Sequence, residues 1–218
     1  MEMREILKTV DHTLLKQTAT WEQIRTVCDE GVTYGCASVC IPPSFVAQAA
    51  EYLNGRLPVC TVIGFPNGYN PTPVKVFEAK LCADAGADEL DMVVNLGWVK
   101  DGRFDRVEAE IRAICQETGR LVKVIIETCL LTDDEKKRLC EVVSNAGAAF
   151  VKTSTGFSTG GATLEDVRLM RRYAAPEVRV KAAGGIASIE DAAALLAAGA
   201  DRLGTSRIVA AARAVKQL

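Results

Sequence analysis

A chain of 218 residues, 49% of them hydrophobic and 25% charged, is long enough to bury a sizeable core, which excludes a largely disordered protein. Its formal net charge of −2 provides no field that would gather nucleic acid or an anionic membrane surface. No apolar stretch approaches the roughly 20 residues that span a bilayer, and the N-terminus shows no secretion signal, so we expect a cytoplasmic protein that acts on a small molecule.

Apolar runs of strand length alternate along the chain with amphipathic helical stretches. Strands are predicted near 9–15 and at 36–41, 59–65, 89–95, 121–128, 149–154, 178–185 and 200–206. Helices are predicted at 21–29, 43–53, 72–85, 104–118, 133–145, 164–173, 189–198 and 207–215. Eight strand–helix units favour an α/β fold, a single (β/α)8 TIM barrel with one domain over residues 1–218. The alternative is an open doubly wound sheet, but no GxGxxG turn follows the first strand.

A short repeat marks the same unit three times. AGAD (85–88), AGAA (146–149) and AGAD (198–201) each place a glycine just past a predicted helix and before a predicted strand. Glycine in this position supplies the left-handed residue that ends a helix and turns the chain back. The repeat therefore indicates a structural role, in which it marks the boundaries between helices and strands.

The cysteines indicate a reduced protein. Most of the eight lie inside apolar segments rather than in turns, so we expect buried thiols and no disulfide framework. Cys36 and Cys40 are four positions apart, but CxxC pairs are absent and His12 is the only histidine. We therefore expect no metal site.

Active sites of such barrels form at the C-terminal ends of the strands, where two lysines are the first candidates. Alternation in 149–154 places Phe150, Lys152 and Ser154 on one face, with Lys152 expected to point into the barrel. Lys181 lies in the next strand. Neighbouring, desolvated ammonium groups repel each other, so one can lose its proton and attack a carbonyl to form a Schiff base. The alternative is that Lys181 only neutralises a substrate phosphate.

Asp91 is the candidate for proton transfer. In ELDMVVN (89–95), alternate residues form an apolar face, and Glu89 and Asp91 lie on the other. An aspartate near two lysines can move protons between the intermediates of Schiff-base chemistry. It can equally serve to balance the charge of a lysine, and both roles are compatible.

Small residues lie at the ends of the last three predicted strands or just after them. They are Gly156, then Gly184 and Gly185, then Gly204, Thr205 and Ser206. Loops of this kind expose backbone N–H groups at helix N-termini, which is how barrels bind phosphate, although glycines also serve plain turns. Their coincidence after consecutive strands indicates a phosphorylated substrate.

The segments DHTLLK (11–16), VCIPP (39–43), ELDMVVN (89–95), KVIIET (123–128), FVKTSTGF (150–157), VKAAGGI (180–186) and RLGTSR (202–207) resemble the deoxyribose-phosphate aldolase family along nearly the whole chain. The resemblance implies a class I aldolase that needs no metal or organic cofactor. It implies reversible cleavage of 2-deoxy-D-ribose 5-phosphate to D-glyceraldehyde 3-phosphate and acetaldehyde, by a homodimer or homotetramer.

The same resemblance implies residue roles. Lys152 corresponds to the Schiff-base lysine, Lys181 to the second catalytic lysine and Asp91 to the proton relay, while the small-residue loops named above correspond to the phosphate site. Asp11 and Cys40 correspond to positions that line the substrate pocket. There the thiol of Cys40 could be alkylated by enals formed from acetaldehyde.

Two departures and two alternatives accompany this resemblance. Phe157 stands where some relatives carry lysine, and the chain ends in AVKQL without a terminal tyrosine, which removes one possible aid to proton transfer. The alternatives are a phosphosugar isomerase and a non-catalytic phosphosugar-binding barrel. An isomerase would want a glutamate base and a histidine electrophile, and His12 lies far in sequence from such a glutamate. A binding module would not need two buried lysines.

Overall fold

The computed structural model describes residues 1–216, so the last two residues of the AVKQL end lie outside it. The strands are β1 (Val10–Thr13), β2 (Ser38–Ile41), β3 (Val59–Ile63), β4 (Glu89–Val93), β5 (Leu121–Ile125), β6 (Phe150–Lys152), β7 (Arg179–Ala183) and β8 (Arg202–Thr205). Neighbours in sequence pair in parallel, and β8 pairs with β1 to close the sheet. The predicted TIM barrel is confirmed.

Helices on the outside of the barrel connect the strands. They are α1 (Met3–Leu7), α2 (Trp21–Tyr34), α3 (Val46–Leu53), α4 (Thr72–Asp84), α5 (Leu96–Lys100), α6 (Phe104–Thr118), α7 (Asp133–Asn145), α8 (Leu164–Tyr173), α9 (Ile189–Ala197) and α10 (Arg207–Lys216). Short 3₁₀ helices occupy Pro43–Phe45 and Thr128–Leu130. The sequence pattern does not predict α1 or α5, because five residues are too few to show a helical period. Among the described helices, none has both the length and the apolar character needed to cross a membrane.

The three glycines of the repeat end helices as predicted. Gly86, Gly147 and Gly199 have φ angles of 103°, 81° and 114°. Each follows a helix by two residues and precedes a strand. A side chain at these angles is disfavoured, so glycine lets the chain reverse toward the barrel.

The strands separate two kinds of interior. Residues on their outer faces, such as Leu90, Met92 and Val151, are buried in the hydrophobic core between the sheet and the helices. Residues on the inner faces meet one another across the barrel axis. Barrel interiors are usually filled by branched apolar side chains. In this chain, charged side chains fill much of that space.

Candidate active site

Seven charged side chains from six strands meet inside the barrel. They are Asp11 of β1, Glu89 and Asp91 of β4, Lys123 of β5, Lys152 of β6, Lys181 of β7 and Arg202 of β8. All are buried except Arg202, whose side chain keeps 12% of its exposure. Because charges are costly to bury alone, their mutual pairing is what allows this interior to be polar.

Asp91 is the centre of the cluster. One carboxylate oxygen, Oδ2, accepts hydrogen bonds from the amines of Lys152 at 2.7 Å and Lys181 at 2.6 Å. The other, Oδ1, accepts from Lys123 at 2.7 Å and from the thiol of Cys60 at 3.2 Å. Burial raises the pKa of Asp91, but the charges of the three lysines outweigh it and hold that pKa well below its usual range. The residues selected from the sequence are thus in direct contact, through a single oxygen of an ionised carboxylate.

Asp11 lies on the other side of Lys181. Its Oδ2 accepts a hydrogen bond from the Lys181 amine at 2.5 Å, and its Oδ1 accepts from Arg202 at 2.6 Å and from the hydroxyl of Ser38 at 2.8 Å. Burial lowers the pKa of Lys181, but Asp11 and Asp91 outweigh it and raise that pKa above its ordinary value. Lys181 is therefore held as a cation between the two carboxylates.

A cavity of about 630 Å³ opens above the cluster, at the C-terminal ends of the strands. Its lining includes Lys152, Thr155, Gly156, Gly184, Gly185, Gly204, Thr205 and Ser206. Asp91 and Lys181 lie beneath Lys152 and are completely buried. A substrate in the cavity would therefore meet the amine of Lys152 first.

Backbone N–H groups on one side of this cavity have no acceptor. Within residues 1–216, those of Gly156, Gly184, Gly185 and Ser206 donate no hydrogen bond. The three glycines have φ angles of 83°, 81° and 77°, which a side chain would disfavour. Unpaired N–H groups that line one cavity can bind an oxyanion such as phosphate.

Gly204 and Thr205 lie in β8, inside the strand predicted at 200–206, and not in a loop after it. A Cβ atom on Gly204 would lie 2.9 Å from the Cβ of Ala183 and 3.2 Å from the Cε of Lys181. Gly204 therefore leaves room for the Lys181 side chain. The Thr205 hydroxyl accepts the N–H of Arg207 at 3.1 Å and so fixes the start of α10.

Asp11 and Cys40 were expected to line the pocket, but both side chains are completely buried below it. Cys40 lies opposite Cys60 in the neighbouring strand and packs with Val62. Its hydrogen bond with Cys60 lowers the pKa of the Cys40 thiol, whereas burial raises the pKa of Cys60 well above its usual value. Asp11 and Cys40 do not reach the pocket, because inward side chains at these levels of β1 and β2 lie at the depth of the ionic cluster.

The same cluster contains potential metal ligands. The donor atoms of Cys40, Cys60 and Asp91 lie within 4.8 Å of one another. The amine of Lys123, however, is 3.1 Å from the Cys60 sulfur and 2.7 Å from Asp91. The side-chain ammonium group of Lys123 thus already occupies the position that a metal cation would take.

Sequence reasoning missed Lys123 and Arg202. Lys123 bridges the carboxylates of Glu89 and Asp91, each at 2.7 Å. It interrupts an apolar strand as Lys152 does, and that pattern was a usable signal. Arg202 carries no such signal, because its partner Asp11 lies 191 positions away.

His12 has a glutamate partner that its sequence surroundings did not indicate. Its Nε2 is 2.8 Å from the carboxylate of Glu30, which lies 18 positions further along the chain. Glu30 is also paired with Arg213 at 2.9 Å. His12 neighbours Asp11 in β1, and alternation turns it away from the ionic cluster toward α2 and α10.

Comparisons of this chain with known sequences and with solved structures both find aldolases. The sequence profile of DeoC/LacD family aldolases matches residues 5–209. The deoxyribose-phosphate aldolase of Streptococcus pyogenes serotype M5 (strain Manfredo) is 58% identical over 212 residues, 96% of this chain and 94% of that protein. The structure of QR15, an aldolase, is similar with a TM-score of 0.92 and 40% identity, over 98% of this chain and 97% of that one. The tetrameric deoxyribose phosphate aldolase of Aeropyrum pernix gives a TM-score of 0.90 and 33% identity, over 98% and 93%. The chain belongs to the DeoC/LacD family of aldolases.

Proposed function

We propose that this protein is a deoxyribose-phosphate aldolase, which cleaves 2-deoxy-D-ribose 5-phosphate reversibly to D-glyceraldehyde 3-phosphate and acetaldehyde. The main support for this proposal is the lining of the cavity. The amine of Lys152 and the unpaired N–H groups of Gly156, Gly184, Gly185 and Ser206 line the same space. A substrate that presents a carbonyl at one end and a phosphate at the other fits this arrangement.

Access to the cavity supports Lys152 as the nucleophile. Three lysine amines contact Asp91, those of Lys123, Lys152 and Lys181, and among them Lys152 is the one that lines the cavity. A neutral amine is the form that attacks a carbonyl, whereas Lys181 stays charged between Asp11 and Asp91.

The chemistry follows from these positions. The amine of Lys152 adds to the C1 aldehyde of the open-chain sugar, and loss of water gives an iminium ion. The C2–C3 bond then breaks, and its electron pair moves into the iminium. The C3 hydroxyl loses its proton and becomes the aldehyde of glyceraldehyde 3-phosphate. Protonation of the remaining enamine at C2, followed by addition of water, releases acetaldehyde. Asp91, which contacts both amines, is placed to carry protons between them.

Borohydride reduction tests the assignment of Lys152. With acetaldehyde present, we expect a two-carbon tag on Lys152 in the wild-type protein, located by mass spectrometry, and no tag in Lys152→Ala, which should also lose cleavage. Lys100→Ala is the control, because Lys100 is an exposed lysine paired with Glu135. A tag on another lysine, or cleavage by Lys152→Ala, would contradict the mechanism.

We further propose that residues 1–218 form one domain that associates into a homodimer or homotetramer. Support comes from α4, where Val74, Phe77 and Leu81 are 50%, 63% and 53% exposed. Their spacing places them along one stripe of the helix, and a contiguous apolar surface favours association. Light scattering should therefore show an oligomer for the wild type and a smaller species for Phe77→Glu. A wild-type monomer would contradict this proposal.

A further inference from the structure

Glu127 has an unusual backbone for a buried residue. It lies just after β5 with φ 54° and ψ 65°, in the left-handed region, and only 3% of it is exposed. This conformation disfavours residues with a side chain, so surrounding contacts must hold it in place. The Glu127 carbonyl accepts the N–H of Leu130 at 3.0 Å, and both of its side-chain hydrogen bonds lead to the residues after β6.

Glu127 controls the hydrogen bonding of Thr155. Its Oε1 accepts the Thr155 N–H at 3.1 Å, and its Oε2 accepts the Thr155 hydroxyl at 2.5 Å. The Thr155 hydroxyl oxygen in turn accepts the N–H of Phe157 at 3.0 Å. Next to it, the N–H of Thr128 donates to the carbonyl of Thr153 at 2.9 Å. The two strand ends are therefore joined at two residues that follow Lys152, Thr153 and Thr155.

These bonds select which N–H group of the turn remains unused. Those of Thr155 and Phe157 are committed, whereas that of Gly156 has no acceptor among residues 1–216. All three residues line the cavity. With its donors occupied by Glu127, Thr155 cannot compete for a ligand, and among these three residues only Gly156 presents an unused backbone N–H.

We infer that Glu127 is a positioning residue for the substrate phosphate, acting through Thr155 to orient the Gly156 N–H toward it. The inference rests on the proposed function, because it takes the unpaired N–H groups as the phosphate site. It separates Glu127 from the lysine chemistry, since Glu127 affects the far end of the substrate and not the amine of Lys152. Binding of the phosphate should depend on Glu127, and Schiff-base formation should not.

Two substrates that differ only in the phosphate test this inference. In Glu127→Gln, which keeps the size but removes one acceptor, we expect KM for 2-deoxyribose 5-phosphate to rise about tenfold, as for loss of a charge-assisted hydrogen bond. kcat/KM for 2-deoxyribose should stay within about twofold of wild type, because only uniform binding of the phosphate is lost. Borohydride tagging of Lys152 by acetaldehyde should be unchanged.

Glu141→Gln is the matched control, since Glu141 is an exposed glutamate of the following helix. Thr155→Val removes the hydrogen bond between the Thr155 hydroxyl and Glu127 by changing its other partner. It should reproduce the selective rise in KM, and it tests the inference even if Glu127→Gln folds poorly. An unchanged KM, or an equal loss with both sugars, would overturn the inference, because the second result is that of a merely structural residue. A wild-type protein that neither cleaves the sugar phosphate nor becomes tagged would instead overturn the proposed function.

Discussion

Lys123→Met is the sharpest test of the buried ionic cluster. The substitution keeps the length of the side chain and removes its charge. Lys123 lies 2.7 Å from Glu89, 2.7 Å from Asp91 and 3.5 Å from Asp11, and it is completely buried. Its loss would remove a cation that contacts all three of these carboxylates.

The expected loss of folding stability depends on which ion pairs remain in Lys123→Met. Removal of one partner from a buried ion pair costs about 3–5 kcal/mol. Glu89 would still contact Arg202 at 3.2 Å, and Asp91 would still contact two lysines, which favours the lower end of that range. We therefore expect a loss of about 3 kcal/mol, which in a chain of this size lowers Tm by roughly 6–12 °C.

The loss should depend on pH with a defined sign. Lys123 contributes to holding the pKa of Asp91 well below its usual range, so the variant loses stability that exists only while Asp91 is ionised. That stability is fully present above the unfolded pKa of about 4 and is lost as pH falls through the folded pKa. Urea unfolding at pH 7 and at acidic pH should show the difference between wild type and variant shrinking in acid.

Lys80→Met provides the control. Lys80 forms an ion pair of the same length, 2.7 Å with Glu117, but both side chains are about half exposed. Surface pairs of this kind contribute little, so Lys80→Met should unfold like the wild type. Equal losses in Lys123→Met and Lys80→Met, or a loss in Lys123→Met that does not change with pH, would refute the reasoning.

Two further predictions concern Gly204 and the buried thiols. Gly204→Ala adds a methyl group 2.9 Å from the Cβ of Ala183 and 3.2 Å from the Cε of Lys181, so the Lys181 side chain must shift. We expect kcat to fall about 100-fold while circular dichroism shows an intact fold, and an unchanged kcat would refute this. Burial raises the pKa of Cys36 and of Cys140 to about 12. The stability that these two protonated thiols contribute to the folded state is therefore complete below pH 9.0 and is lost as pH rises through 12. Urea unfolding at pH 8 and above pH 10 should therefore show declining stability, and Cys140→Ala should reduce the slope.

The predictability of the site differs between its parts. The alternation around Lys152 and Asp91 is local, so the sequence places both side chains inside the barrel. The network that tunes them is not local, because Asp11, Lys181 and Arg202 meet only through closure of the sheet. No periodicity could indicate which carboxylate would hold which cation.

The fold divides in the same way. Strands and long helices show clear periods, and the three helix-ending glycines mark their boundaries. The five-residue helices α1 and α5 have no detectable period, and the left-handed backbone of Glu127 is dictated by its contacts with Thr155. Likewise, the sequence could assign Asp11 to the site but not the depth at which its side chain lies.

Asp11 also links catalysis to the order in which the chain is made. The first strand supplies this carboxylate, and its partners Lys181 and Arg202 come from the seventh and eighth strands, 170 and 191 positions later. A ribosome-bound chain that lacks those strands would carry Asp11 without Lys181 and Arg202, whereas Asp91 would already have Lys123 and Lys152. The ionic cluster is therefore completed as a late event of folding, and we expect incomplete chains not to catalyse aldol cleavage even where they contain Lys152.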